Sequence, residues 1–328
     1  MSELLLAGDI GGTKANLVLV DPAGDPRRPV YAERIPTADH PSLEALLDAF
    51  FAKAGKSAST ACLGIPSPVI DGHVAPVNLH WQAQEQTVAR HLGMRRVRFL
   101  NDLVATALGI PELADNELVV LHPGAPRTRG VKAIIAPGTG LGTGWLAHSG
   151  TSWEAFPSEG GHADFAPRGQ LQQRLLAHQA TGGKQVIVES VCSGRGIANL
   201  WRFFGHEGLR DSPAVEEAAA AAIDPTPVVM EAARNPQVNP RSSACAEEFV
   251  TILFQEAGNS ALRWLATGGV YLAGGVSPKV LPWMQRPAAL AAYLASPTLG
   301  RVLRETPLVV VLNQETAVLG AFAGGRNL

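Results

Sequence analysis

Two stretches of this sequence share one pattern, and no other feature limits the fold as tightly. Leu6-Ala7-Gly8-Asp9-Ile10 runs into Gly11-Gly12-Thr13, and Lys14 to Val20 runs out again. Val131 to Pro137 likewise runs into Gly138-Thr139-Gly140, and Leu141 to Ala147 runs out. Apolar run, Gly/Thr turn, apolar run is a β-hairpin signal. Paired glycines accept the positive φ of tight turns, so left-handed backbone is expected at Gly11-Gly12. A turn without Cβ bulk also lets a phosphate approach the backbone N–H groups. Two such hairpins point to two similar halves, each offering a turn to one end of a polyphosphate. Asp9 stands at the mouth of the first turn, where a carboxylate can hold a Mg²⁺ that accompanies phosphates. The competing reading of Asp9 is a solvated carboxylate beside a Gly-rich hairpin.

At 328 residues, 46% hydrophobic and 17% charged, the chain has room for about two domains with a sizeable core. Its net charge of −2 argues against a nucleic-acid partner. Cys62, Cys192 and Cys245 are too widely spaced for a disulfide framework or a zinc-binding pair. Met1 to Leu6 lacks the basic segment of a secretory leader, and no apolar stretch is long enough for a bilayer. A cytoplasmic protein with no membrane partner is therefore expected.

Apolar spacing predicts a helix over Leu43–Phe51, a buried strand over Ala61–Ile65 and a strand over Val97–Leu100. A helix follows at Leu103–Gly109, which puts Asn101-Asp102 at a strand-to-helix junction. Such junctions face the ligand crevice of open α/β sheets. Asn and Asp are also favoured helix N-caps, and both readings stand at this point. Asn78-Leu79-His80-Trp81 is rich in groups able to contact a sugar, and the loop Phe156–Pro167 is dense in polar side chains. The Ala- and Pro-rich segment from Asp211 to Pro240 reads as helices and connections peripheral to the chemistry. A long helix through Phe249–Leu265, strands near Gly268–Gly275 and Leu308–Leu312, and a closing helix at Thr316–Ala323 complete the pattern. No G-x-x-x-x-G-K-S/T is present, and Gly140-Leu141-Gly142-Thr143-Gly144 does not complete a dinucleotide fingerprint.

In order along the chain, Asp9-Ile10-Gly11-Gly12-Thr13, Leu100-Asn101-Asp102, Gly138-Thr139-Gly140-Leu141-Gly142 and Glu159-Gly160-Gly161-His162 resemble the motifs of bacterial-type glucokinases. Glu189 in Val188-Glu189-Ser190 and the run Gly268–Gly275 extend the likeness, which covers most of the chain. These kinases belong to the actin-like superfamily of sugar kinases and ATPases. The resemblance implies an α/β, actin-like (ribonuclease-H-like) duplicated fold of two lobes with a cleft between them. The small lobe would hold residues 1–110 and 308–328, the large lobe residues 111–307.

The implied reaction is ATP-dependent phosphorylation of D-glucose to glucose 6-phosphate. Asp102 would take the proton from the sugar 6-hydroxyl as general base. Asn78, Asn101, Asp102, Glu159, His162 and Glu189 would hold the sugar. Asp9, Gly11, Gly12, Thr13, Lys14, Gly138, Thr139, Gly140, Gly274 and Gly275 would meet ATP, with Mg²⁺ reaching Asp9 through the phosphates. Related repressor/kinase-type proteins follow a Glu-Gly-His loop with a zinc-binding cysteine cluster. Here no cysteine follows His162 before Cys192, so no structural zinc is expected. A homodimer is also implied. Lys14 stands where many glucokinases have Asn, and Ala136 where Gly is frequent.

Three other readings compete with this one. The nearest is a kinase of the same family for another hexose or an aminosugar. A sugar-sensing regulator would carry a helix-turn-helix before Asp9, where this sequence has eight residues. An inactive ATPase scaffold fits poorly with Asn101-Asp102, Glu159 and His162 all present.

Overall fold

A computed structural model describes residues 3–77 and 79–328. The chain divides into two compact units, the first formed by Met1–Glu117, Ser149–Pro157 and Asn313–Leu328. The second is Leu118–His148 with Ser158–Leu312.

In the first unit, β1 (Leu5–Ile10), β2 (Lys14–Val20) and β3 (Tyr31–Pro36) form an antiparallel meander. Then β4 (Thr60–Ile65) pairs parallel to β1, a short hairpin joins β5 (His73–Val74) to β6 (Ala83–Gln84), and β7 (Arg96–Asn101) pairs parallel to β4. The sheet order is β3-β2-β1-β4-β7. All six residues of β4 are buried, as befits a central strand covered on both faces. Helix α1 (Leu43–Ala54) buries Leu43, Leu46, Leu47 and Phe50, the apolar stripe the sequence predicts. The Ser42 hydroxyl accepts the Ala45 N–H at its start, and Gly55, at φ 59°, turns the chain out of its end. Helix α2 (Glu85–Leu92) precedes β7, and α3 (Asp102–Gly109) follows it directly. The C-terminal helix (Thr316–Gly325) lies against α3 so closely that a Cβ on Gly320 would collide with the Ala105 carbonyl oxygen.

The second unit repeats the plan. Strands β8 (Leu118–His122), β9 (Lys132–Pro137) and β10 (Leu141–His148) come first, and β11 (Trp153–Ser158) spans a boundary between the units. Later come β12 (Gly269–Leu272) and β13 (Leu308–Val311). The hairpin β9–β10 is antiparallel, whereas β12 is parallel to both β9 and β13, giving the run β10-β9-β12-β13-β8. Helices α4 (Gly169–Gln179), α5 (Gly194–His206), α6 (Pro213–Ala221), α7 (Thr226–Ala232) and α8 (Pro240–Arg263) lie between β11 and β12. Helices α9 (Leu281–Met284), α10 (Pro287–Leu294) and α11 (Gly300–Glu305) follow β12. Helix α8 is buried along much of its length, and its Phe249, Leu253 and Phe254 share one core with Leu200 and Phe203 of α5.

A hairpin followed by two parallel strands thus occurs in each unit, which is the duplication the two Gly/Thr turns implied. The boundary expected at 308 falls instead at Asn313, because β13 pairs with β12 and β8 inside the second unit's sheet. Among the described residues, no helix is long and apolar enough to cross a membrane.

Candidate active site

The first unit gathers one group of expected residues at the C-terminal ends of its parallel strands. Asp9 lies near the end of β1, across from Gly64 of β4. Asp102 opens α3, directly after β7. Gly64 lets α3 pack close on β4, since a Cβ there would come 2.9 Å from the Ala105 Cβ of α3. Burial, and next the Asp102 carboxylate, push the Asp9 pKa from 3.8 up to about 6, while Lys14 pulls it back. Asn101 is the N-cap of α3: its Oδ1 accepts the Leu103 and Val104 N–H groups, at 3.0 and 3.4 Å, and its Nδ2 donates to the Ser67 carbonyl. The cap reading therefore describes what Asn101 does for the fold, and it fixes where Asp102 begins the helix.

Gly11, Gly12 and Thr13 form the β1–β2 turn, closed by the Gly11 N–H donating to the Lys14 carbonyl at 2.8 Å. The left-handed backbone expected at Gly11-Gly12 is not present, and Gly138 and Gly140 lack it too. At Gly11 and Gly140 glycine answers to space instead. A Cβ on Gly11 would come 3.1 Å from the Lys14 carbonyl oxygen. Thr37, fully buried, supports this turn through its hydroxyl, which donates to the Gly11 carbonyl at 2.8 Å, and its N–H, which donates to the Thr13 carbonyl. Sequence reasoning missed Thr37, because a lone Thr after a strand carries no signal of the turn it meets. Asn78 lies outside the described residues.

The second unit gathers the rest. Gly138, Thr139 and Gly140 form the β9–β10 turn, and the Leu141 N–H just after it donates to Glu189 Oε2 at 2.8 Å. The Glu159–His162 segment makes one tight turn in which the His162 N–H donates to the Glu159 carbonyl, leaving both side chains exposed. It sits directly on β10: a Cβ on Gly161 would collide with the Leu141 carbonyl oxygen. Backbone bonds from Phe165 N–H to Val186 and from Val188 N–H to Ala163, both 2.9 Å, tie that loop to the segment carrying Glu189. Glu159, His162, Glu189 and the second turn are thus brought into one neighbourhood. Gly274 does use left-handed backbone, φ 75°, and a Cβ there would lie 2.6 Å from the Pro137 carbonyl oxygen.

Beside this turn lies a cavity of about 900 Å³, wholly within the second unit. Gly138, Thr139 and Gly275 line it, together with Arg195, Thr226, Met230 and Lys279. Residues 223–234 make one wall, so the segment from Asp211 to Pro240 is not peripheral in its second half. The Thr226 hydroxyl donates to the Gly194 carbonyl at 2.9 Å, and the Gly194 N–H to the Gly138 carbonyl at 2.8 Å, which links that wall to the turn. The volume suits a mononucleotide-sized ligand. Cys62, Cys192 and Cys245 are free and buried, and burial pushes the Cys62 thiol up to about 12. Among the described residues no group of three or more His, Cys, Asp or Glu is arranged to hold a metal ion.

The family model described as Glucokinase matches residues 6–327. Glucokinases of Trichormus variabilis and a Nostoc species are 34% and 35% identical to the chain, over 97% of each partner in both cases. Among solved structures, a glucokinase from an Antarctic psychrotroph superposes with TM-score 0.87 at 25% identity, covering 100% of both chains. A glucokinase from Balamuthia mandrillaris in complex with glucose gives 0.81 at 19% identity, covering 98% of this chain and 93% of that one. At 21% identity, a ROK family glucokinase from Streptomyces griseus in complex with glucose and AMPPNP gives 0.65, over 99% and 100%. The last two likenesses bear on the fold alone.

Proposed function

We propose, given that this chain belongs to the glucokinase family and phosphorylates glucose with ATP, that Asp102 is the general base of the reaction. The observation that carries this is the placement of Asp102 at the first position of α3, just past the end of β7 and electrostatically coupled to Asp9. Phosphoryl transfer asks the protein for an oriented hydroxyl, a clamp on the phosphates and a counter to spreading negative charge. Asp102 accepts the proton of the glucose 6-hydroxyl as its oxygen attacks the γ-phosphorus and the bond to the ADP oxygen breaks. Asn78, Asn101, Glu159, His162 and Glu189 hold the other hydroxyls. Glu159 and His162 are both exposed, so a sugar can reach their side chains.

The turns Gly11-Gly12-Thr13 and Gly138-Thr139-Gly140 present backbone N–H groups to the phosphates, and Lys14 adds a positive charge beside Asp9. The cavity next to Gly138, with Gly275 on its rim and Gly274 shaping the backbone behind it, receives the nucleoside. Asp9 suits a divalent cation, because a carboxylate whose ionised form is costly gains from a cation beside it. Mg²⁺ held there with the phosphates would neutralise charge on the transferred group. The homodimer and the cytoplasmic location implied by family resemblance belong to the same proposal, and light scattering tests the first.

Asp102→Asn tests the base. The amide keeps a polar contact and cannot accept the proton, so kcat should fall by about 10²–10⁴ while the KM for glucose moves far less. Turnover near wild type would leave Asp102 a helix-start residue and nothing more. Each substrate-binding role is testable by the same split between kcat and KM, with Glu159→Gln expected to act mainly on the KM for glucose.

A further inference from the structure

Glu189 is fastened to the nucleotide side of the second unit by both of its carboxylate oxygens. Oε2 accepts the Leu141 N–H at 2.8 Å, at the end of the Gly138-Thr139-Gly140 turn. Oε1 lies 3.5 Å from Nη2 of Arg195, and Arg195 Nε donates to the Thr139 carbonyl at 3.2 Å. Carboxylate, guanidinium and turn therefore close a ring. A Cβ on Gly140 would come 2.5 Å from Oε2, so glycine at this position is what lets the carboxylate seat against the backbone. Gly138, Thr139 and Arg195 all line the large cavity.

We propose that Glu189 and Arg195 are a positioning pair that sets the Gly138–Leu141 turn and couples sugar binding at Glu189 to nucleotide binding at the turn. This rests on the function proposed above, in which Glu189 meets the sugar and the turn meets the phosphates. A carboxylate has about four lone-pair sites, so a sugar hydroxyl can donate to Glu189 without displacing Leu141 or Arg195. Binding then narrows the motion of the carboxylate, and the ring passes that restriction to the turn. A nucleotide arriving afterwards orders less backbone and binds more tightly. Linkage makes the effect reciprocal: nucleotide at the turn must favour sugar by the same factor. A carboxylate that merely satisfied one N–H would give no such effect.

The test is calorimetric titration of the full chain with the β,γ-imido analogue of ATP, with and without saturating glucose. Wild type, Arg195→Ala, Arg195→Lys and Glu189→Gln are compared, and glucose turnover by wild type is recorded alongside. The Arg195 side chain is 71% exposed, so its removal leaves folding intact. Glucose should tighten analogue binding by wild type about fivefold or more, a usual size for coupling. Arg195→Ala should abolish that gain, and Arg195→Lys should restore part of it. Glu189→Gln should weaken the analogue about tenfold without any sugar present, as loss of a charge-assisted bond implies. Weaker analogue binding by Arg195→Ala with the glucose gain intact would make Arg195 a plain phosphate contact and overturn the proposal. Unchanged analogue affinity in Glu189→Gln would overturn it equally. Absent glucose turnover by wild type would instead defeat the reading beneath it.

Discussion

Asp9 holds its proton more tightly in the folded protein than in the unfolded chain, and that has a sign. The unfolded carboxyl ionises near 3.8 and the folded one near 6, so between these values the folded state binds more protons. Stability from this group is therefore greatest below about pH 4, falls as pH rises to 6, and stays lower above it. A shift of this size corresponds to about 3 kcal/mol at most. Urea unfolding of wild type and Asp9→Asn between pH 4 and 7 should show the variant gaining on wild type as pH rises. A constant difference across that range would show that Asp9 ionises normally. Thr37 offers a second residue-scale check. Thr37→Val removes the hydroxyl that steadies Gly11, and the KM for ATP should rise about threefold to tenfold with little change for glucose, the effect of losing one hydrogen bond.

Among the elements, α3 matters most, because its first residue is Asp102 and its seat is the C-terminal helix. Both contact points are glycines: Gly109 faces the Thr316 carbonyl oxygen and Gly320 faces the Ala105 carbonyl oxygen, with no room for a Cβ at either. Gly320→Ala must push the helices apart, at a cost of about 3 kcal/mol, the upper range for overpacking. Displacing α3 also moves Asp102, so kcat should fall further than the lost stability explains. Urea denaturation with kinetics on the folded fraction checks both, and unchanged stability would mean that the pair tolerates wider spacing. Elements such as α1 and β4 were legible in the sequence because one buries an apolar stripe at helical spacing and the other an unbroken, fully buried run. The reason for glycine in the turns was not. Left-handed backbone is a local property and was the natural guess, whereas Gly140 and Gly320 answer to neighbours far along the chain. The cavity wall at residues 223–234 was hidden for the same reason, since its mixture of Ile, Pro, Thr, Met and charged residues forms no spaced motif before folding places it beside Gly138.

At the scale of the whole molecule, one plan used twice explains why the motifs come in two sets. Each unit closes a hairpin through a Gly/Thr turn, and each pairs parallel strands beside that hairpin. Asp9 and Asp102 fall in the first unit, and Glu159, His162 and Glu189 fall in the second. Hydrogen-bonding groups of this kind reject a sugar that lacks the matching hydroxyl far more strongly than an apolar pocket rejects a missing methyl group. Discrimination should therefore be sharpest at the hydroxyl that reacts. The decisive measurement is coupled ADP release with glucose, 6-deoxyglucose, mannose, N-acetylglucosamine and no sugar. Glucose should drive ADP release with the highest kcat/KM, while 6-deoxyglucose, which has no hydroxyl to present to Asp102, should release ADP no faster than the sugar-free enzyme. ADP release driven equally by 6-deoxyglucose, or a clear preference for the aminosugar, would contradict a glucose 6-hydroxyl activated by Asp102.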